Sequence, residues 1–301
     1  MQHIDERALP QLRRRAFTAT APAVVNYRHA YHAGNFADVV KHIALVAVLL
    51  HLRKKDKPFC VIDSHAGRGL YDLRGGEAER TGEAKQGISR LQNIDPAGLP
   101  ASLVAYLECV HAEPEEYYPG SPRIAARLLR GRDRLIAIEK QPAEEAALAQ
   151  ALSPFANATA VCADGAERLP ALLPPQERRG LVLIDPPYEA PDEFAMAGDL
   201  LARSYRRFGT GVYLLWFPVK SKADGDALCG EVLAHGIERL LRVDVESGAQ
   251  QTEGRLAAAG LLVVNPPFGF AQEMGAVAAA VAPLLTTDSG VPARISVDCK
   301  S

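Results

Sequence analysis

The sequence predicts an α/β fold built on a mostly parallel, seven-stranded sheet with an antiparallel edge. Five short apolar runs each end in a polar or glycine signal, and helical patterns separate them. Continuous apolar strands alternating with helices make a sheet covered on both faces. The last two runs are joined without room for a helix, so they pair antiparallel. With 301 residues, 48% of them hydrophobic and 23% charged, the chain can bury a large core.

The first element is a helix over 35–55, NFADVVKHIALVAVLLHLRKK. Asn35 is its N-cap, and Asp38 stands three residues on, the spacing of a capping box. Apolar residues cover most of its circumference, so it is expected to be buried, with Asp38, His42 and Leu45 on one face. The strand-forming runs are PFCVIDSHAGRG (58–69), DRLIAIEK (133–140), ATAVCADG (158–165), GLVLIDPP (180–187) and TGVYLLWFP (210–218). A helix is expected at 141–152, and the antiparallel pair near 237–246 and 256–264. The interval from Asp63 to Glu139 far exceeds the roughly 20 residues of a dinucleotide-binding unit. Residues 71–117 therefore read as an inserted helical subdomain, with helices about 83–93 and 99–111. Residues 1–25, which contain RRR at 13–15, read as a poorly ordered extension, 26–290 as one domain with its insertion, and 291–301 as a tail.

Composition narrows the function classes. The five cysteines, Cys60, Cys109, Cys162, Cys229 and Cys299, are scattered and never at metal-ligand spacing, which fits a reducing, cytoplasmic setting and no metal. The most apolar run, 43–50, is far short of the roughly 20 residues that span a bilayer. A formal net charge of −2 means that any basic footprint for nucleic acid must be local. No obligate protein partner is implied.

The chemistry lies at the strand ends, where open α/β sheets bind ligands. Gly67 and Gly69 in DSHAGRG permit a tight turn and a close backbone approach. Glu139 can accept hydrogen bonds from both hydroxyls of a ribose. Asp164 can accept from the amine of an adenine, with Gly165 opening space beside it. Taken singly, each of these acids is a helix cap or a solvated carboxylate; in strand order they describe an adenosine site. The fourth end, Asp185-Pro186-Pro187-Tyr188, offers two acceptors, the Asp185 carboxylate and the Pro186 carbonyl, to one exocyclic amine. Two acceptors steer the nitrogen lone pair as it attacks. The prolines fix the turn rigidly, and Tyr188 is expected to stack on the base. The pattern fits methylation of an amine by S-adenosylmethionine. A second match, Asn265-Pro266-Pro267-Phe268, follows the last apolar run, outside the cofactor-binding ends, and reads as a strand exit.

The motifs YRHAYHAGNFADVVKH (27–42), DSHAGRGLYDL (63–73), ERTGE (79–83), YYPGSPRIAARLLR (117–130), RRGLVLIDPPYE (178–189) and NPPF (265–268) closely resemble the bacterial ribosomal RNA large subunit methyltransferase J family over roughly 26–290. The resemblance implies a Rossmann-like, class I S-adenosylmethionine-dependent methyltransferase that acts on N6 of an adenine in 23S ribosomal RNA. It implies that His42, His65, Gly67, Ser121, Glu139, Asp164, Gly165 and Asp185 meet the cofactor, with Asp185 also the catalytic acceptor. Tyr27 and Lys41 are assigned to the substrate RNA. Read alone, His42 and His65 are core or helix-face histidines, and Ser121 is a helix N-cap before Pro122. Arg68 is bulky for a glycine turn. The rival readings are an N6-adenine DNA methyltransferase and a catalytically silent RNA-binding or ribosome assembly protein on the same fold. HAGRG lacks the third glycine of the nicotinamide fingerprint.

Overall fold

The computed structural model describes residues 32–76, 82–190, 192–219, 222–249, 256–285 and 290–300. In chain order its helices are α1 (Phe36–Arg53), α2 (Ala101–His111), α3 (Ser121–Leu128), α4 (Pro142–Leu152), α5 (Gly165–Ala171), α6 (Glu193–Arg207), α7 (Lys222–Ala234) and α8 (Phe270–Val281). Its strands are β1 (Cys60–Asp63), β2 (Leu70–Asp72), β3 (Tyr117–Pro119), β4 (Arg134–Glu139), β5 (Ala158–Cys162), β6 (Gly180–Ile184), β7 (Val212–Pro218), β8 (Leu240–Glu246), β9 (Ala258–Val264) and β10 (Arg294–Lys300).

Eight of these strands form one sheet in the order β10-β8-β9-β7-β6-β1-β4-β5. The five from β7 to β5 run parallel, and the three beyond β7 are antiparallel. The expected pair at the edge is β8 with β9. The eighth strand is β10, placed in the tail from sequence; it pairs with β8 from Arg294 opposite Glu246 to Lys300 opposite Leu240. Its short, alternating ISVDC pattern carries little signal of its own, and pairing decides it.

The central strands β6, β7 and β9 are buried on both faces, which is why they are apolar along almost their whole length. Alternate residues go to opposite sides. Val61, Leu181 and Leu183 join α1, α3, α4 and α8 in one core, while Ile62, Val182 and Ile184 join α5, α6 and α7 in the other. Each such side chain contributes about 1.5–3 kcal/mol on burial.

α1 begins as its sequence demands. Asn35 Oδ1 accepts from the N–H groups of Ala37 and Asp38, each at 2.9 Å, and Asp38 Oδ2 accepts from the Gly34 N–H at 3.0 Å. The segment between β2 and β3 is closed at its base by their pairing as a two-stranded antiparallel sheet, with Tyr71 opposite Tyr118. α2 lies where a helix was expected. The helix expected over 83–93 is instead two 3-10 turns, Glu83–Gln86 and Ile88–Arg90. Gly87 between them explains this: a β-carbon there would lie 2.0 Å from the Gly34 carbonyl oxygen. The first turn packs against the start of α1, where Glu83 accepts from Asn35 Nδ2 at 3.0 Å and lies 3.1 Å from His32 Nδ1, and the Ile88 N–H of the second turn donates to the Gly34 carbonyl at 2.8 Å. No helix among the described residues is long and apolar enough to cross a membrane.

Candidate active site

The carboxyl ends of β1, β4, β5 and β6 surround a cavity of about 410 Å³ lined by both apolar and charged side chains, within the size range of small-molecule sites. The β1 end supplies its floor. Asp63 is 1% exposed; its Oδ2 accepts from Ser121 Oγ at 2.6 Å, and its Oδ1 from the His65 N–H at 3.3 Å. Burial pushes the Asp63 carboxyl up to about 6, the Ser121 hydrogen bond opposing and the Asp185 charge reinforcing the shift. Ser121 is not the cap of α3: Gly120 holds that position, and the Ser121 hydroxyl is spent on Asp63.

The Ser64 hydroxyl is the hydrogen-bond partner of His65. Ser64 Oγ donates to the Leu183 carbonyl at 3.0 Å and lies 2.8 Å from His65 Nδ1. With the single hydroxyl proton directed at Leu183, His65 Nδ1–H is the donor to Ser64 and Nε2 is left as an acceptor; this tautomer is assigned from the hydrogen-bond geometry. Burial pushes the imidazole down to about 4, with Lys140 adding to the shift against Asp185 and Asp164, so the ring is neutral at pH 7.

Glycines bring the strand ends together. Gly67, at φ +60, donates its N–H to Glu139 Oε2 at 3.0 Å, and Glu139 Oε1 accepts from the Gln141 N–H at 2.8 Å. At Gly165, the first residue of α5, a β-carbon would stand 2.0 Å from the Ser64 carbonyl oxygen. Asp164 Oδ1 caps α5 through the Ala166 N–H at 2.9 Å, and Oδ2 pairs with Lys140 at 2.8 Å. That hydrogen bond holds the Asp164 carboxyl below the usual range. Arg68, bulky for its turn, points to Glu144 and bonds it at 2.8 and 2.7 Å.

At the β6 end, Asp185, Pro186 and Pro187 line the cavity. Asp185 Oδ2 is 2.7 Å from Lys41 Nζ, which lies 2.8 Å from Asp38 Oδ1. Lys41 is 4% exposed. Burial alone lowers an ammonium, but Asp185 and Asp38 outweigh it and hold Lys41 well above the usual lysine range, so it is charged. His42, the next residue, is buried beside the cavity, its Nδ1 2.7 Å from the Tyr118 hydroxyl.

Three sequence assignments change. Lys41, expected at the RNA, is buried between two carboxylates at the cavity wall, because its position in the second turn of α1 faces the sheet rather than solvent. Tyr188, expected to stack on a base, is 8% exposed and absent from the cavity wall. After the two prolines the chain passes through φ +54, and the ring folds back between Phe194 and Trp216, with its hydroxyl donating to the Trp216 carbonyl at 2.7 Å. Ser121, read alone as a helix cap, lines the cavity and gives its hydroxyl to Asp63 instead. Tyr27 lies outside the described residues. Sequence reasoning missed Asp63, Lys140 and the pairing of Asp38 with Lys41; the i,i+3 spacing of the last two was the available signal.

The second Pro-Pro motif is separated by strand direction. β9 is antiparallel to β7, so Val264 lies beside Tyr213, near the start of β7, and Asn265 emerges at the opposite edge of the sheet from Asp185. There its Nδ2 donates to the Gly209 and Gly211 carbonyls at 2.9 and 2.8 Å. Asn265 is a strand exit, as its place in the sequence indicated.

A parallel sheet with acids at successive strand ends, glycine contacts between them and an Asp-Pro-Pro turn beside the cavity defines a methyltransferase of the Rossmann-like class. Residues 56–295 match the model of the family described as ribosomal RNA large subunit methyltransferase D, RlmJ, and the chain belongs to that family. It is 40% identical over 258 residues to ribosomal RNA large subunit methyltransferase J of Escherichia coli, covering 84% of this chain and 91% of the relative. It is 38% identical over 256 residues to the protein of the same name from Haemophilus influenzae, covering 83% and 90%. Among solved structures, protein LPL1258 from Legionella pneumophila superposes with a TM-score of 0.79 at 33% identity, covering 90% of this chain and 99% of that one.

Proposed function

We propose that this enzyme methylates the exocyclic N6 amine of an adenine in 23S ribosomal RNA, with S-adenosylmethionine as donor. The observation that carries the reading is Asp185, held at the cavity by Lys41 at 2.7 Å. Only Oδ2 is engaged by a described residue, so Oδ1 and the Pro186 carbonyl are the two acceptors for one amine.

The cavity fits the cofactor. Glu139 and Asp164 stand where acceptors for ribose hydroxyls and an adenine amine belong, and neutral His65 offers Nε2 as a further acceptor. Gly67 and Gly165 let the strand ends close around it, since a β-carbon at these positions would collide with the Tyr71 hydroxyl and the Ser64 carbonyl, and His42 and Ser121 complete the floor. Bound S-adenosylmethionine supplies an electrophilic methyl group on a sulfonium.

The adenine amine is a weak nucleophile because its lone pair is delocalised into the ring. Hydrogen bonds from its two protons to Asp185 Oδ1 and the Pro186 carbonyl favour the tetrahedral nitrogen and stabilise the positive charge that develops on it. The donor would supply the methyl group as an electrophile, its sulfur keeping the bonding electron pair, and the chain's own part is to hold the nitrogen and take its surplus proton. One proton then leaves the nitrogen through Asp185 to solvent. Lys41 keeps the carboxylate in place and compensates its charge, and the fixed turn of Pro186 and Pro187 keeps both acceptors in register. The target base must be unstacked to reach the cavity, a cost of a few kcal/mol that is least at an open site.

Incubation of the protein with tritiated cofactor and protein-free 23S RNA, followed by nuclease digestion and mass spectrometry, tests the reading. N6-methyladenosine is the expected product. Label in another nucleoside, or in DNA and not RNA, overturns it.

A further inference from the structure

The cavity that receives the base carries six carboxylates and two lysines along its lining. Such a mouth repels phosphates, although neutralised phosphates supply much of the affinity for nucleic acid. The cations lie elsewhere. The three neighbouring strands β6, β1 and β4 are each preceded by a basic run, 177–179, 53–57 and 130–134, so these runs lie side by side along the strand-start edge. They hold nine basic residues and three acids in a chain of net charge −2.

All three acids are taken. Asp133 pairs with Arg130 at 2.8 Å, Glu177 with Arg134 at 3.0 Å, and Asp56 with Arg132. Arg53, Lys54, Lys55, Lys57, Arg178 and Arg179 remain, with no carboxylate partner among the described residues. The surface that carries them is braced from within by two of its own arginines. Arg130 and Arg179 lie over the Phe59 ring at 5.5 and 5.8 Å and donate to carbonyls at the end of α1 and in the loop that follows it. His51 Nδ1 is buried there without a hydrogen-bond partner among the described residues, and burial, Lys54, Arg179 and Lys55 all lower its pKa, a sign of the local positive field.

We infer that this strand-start edge docks the phosphate backbone of the substrate RNA, at a part of the folded molecule distinct from the one that presents the adenine. The inference rests on the RNA reading above. Along α1, Lys41 and Arg53 are separated by about 18 Å at 1.5 Å per residue, so a structured RNA must reach from one edge of the sheet to the other. The acidic cavity then reads the base, and the basic edge supplies affinity.

The exposed residues Lys54, Lys55 and Arg178 make no side-chain hydrogen bonds to described residues, so the triple variant Lys54→Gln, Lys55→Gln, Arg178→Gln leaves the fold intact. In filter binding of protein-free 23S RNA, its affinity is expected to fall about tenfold or more, and the slope of log affinity against log salt to lessen by about one for each phosphate no longer neutralised. Affinity for S-adenosylhomocysteine and kcat at saturating RNA stay within about twofold, and the charge-conserving variant Lys54→Arg, Lys55→Arg, Arg178→Lys restores RNA binding. Unchanged RNA affinity and salt slope overturn the inference, even where the wild type methylates RNA. So does a variant that loses cofactor affinity in parallel, or a wild type that binds anionic phosphatidylserine vesicles but not RNA. Absence of N6-methyladenosine despite intact RNA binding counts against the proposed reaction and leaves the docking edge standing.

Discussion

Lys41 Nζ stands 2.7 Å from Asp185 Oδ2 and 2.8 Å from Asp38 Oδ1, joining the start of α1 to the end of β6 inside the protein. The ammonium compensates two acids that would otherwise repel each other beside the cavity. Removing either member of a buried pair leaves an uncompensated charge, at a cost of about 3–5 kcal/mol. Asp185→Asn preserves size and keeps Lys41 paired with Asp38, so its main effect falls on the chemistry. A fall in kcat of about 10²–10³ is expected, as for loss of one charge-stabilising group, with cofactor affinity within a few-fold by calorimetry. Lys41→Met is expected to lower kcat and also the melting temperature. An Asp185→Asn enzyme with wild-type kcat rejects the two-acceptor mechanism.

Asp63 and His65 make opposing contributions to the pH dependence of stability. Asp63 has its pKa raised to about 6 from 3.8, so the folded state holds the extra proton and stability falls as pH rises from about 4 to 6. His65 has its pKa lowered to about 4 from 6.5, so the unfolded state holds the extra proton and stability rises over about 4 to 6.5. The two slopes offset each other in the native protein. Denaturant titrations at pH 4.5 and 6.5 are expected to show Asp63→Asn gaining stability with pH relative to wild type, and His65→Gln losing it. Parallel pH profiles for all three proteins contradict this pairing.

At Gly165, adding one methyl group tests whether the β1 and β5 ends must touch. The added carbon would meet the Ser64 carbonyl oxygen at 2.0 Å, and backbone cannot yield as a flexible side chain can. Gly165→Ala is expected to cost about 1–3 kcal/mol of stability and to weaken S-adenosylhomocysteine binding more than tenfold, because Asp164 and His65 are displaced together. Wild-type affinity in calorimetry means that the loops tolerate separation.

Much of this site was legible because strand order is written in the sequence. Glu139, Asp164 and Asp185 each follow an apolar run, and parallel strands bring such ends to one edge. The same reasoning set Asn265 apart, and strand direction made the separation complete. Lys41 was only half legible: its i,i+3 spacing from Asp38 can be read along the helix, but nothing local shows that Asp185, 144 positions away, will enclose it from the other side. The 3-10 turns in the insertion depended on a contact between Gly87 and Gly34, which local periodicity cannot see. β10 likewise depends on its partner β8.

Tyr188 is where motif and structure part most clearly, and two substitutions decide its role. If the ring held the base, the phenyl group alone would suffice, and Tyr188→Phe would leave both stability and KM for RNA unchanged. In the structure the hydroxyl donates to the Trp216 carbonyl at 2.7 Å and ties the Pro-Pro turn to β7. Loss of that bond leaves a buried carbonyl unpaired, so Tyr188→Phe is expected to lower stability by about 1 kcal/mol, with a modest fall in kcat as Pro186 loses its anchorage. Tyr188→Ala also removes the packing against Phe194 and Trp216 and is expected to cost about 3–5 kcal/mol. Thermal unfolding of the two variants, set beside their KM values for RNA, separates the roles: a Tyr188→Ala enzyme of wild-type stability but greatly raised KM returns the ring to the base.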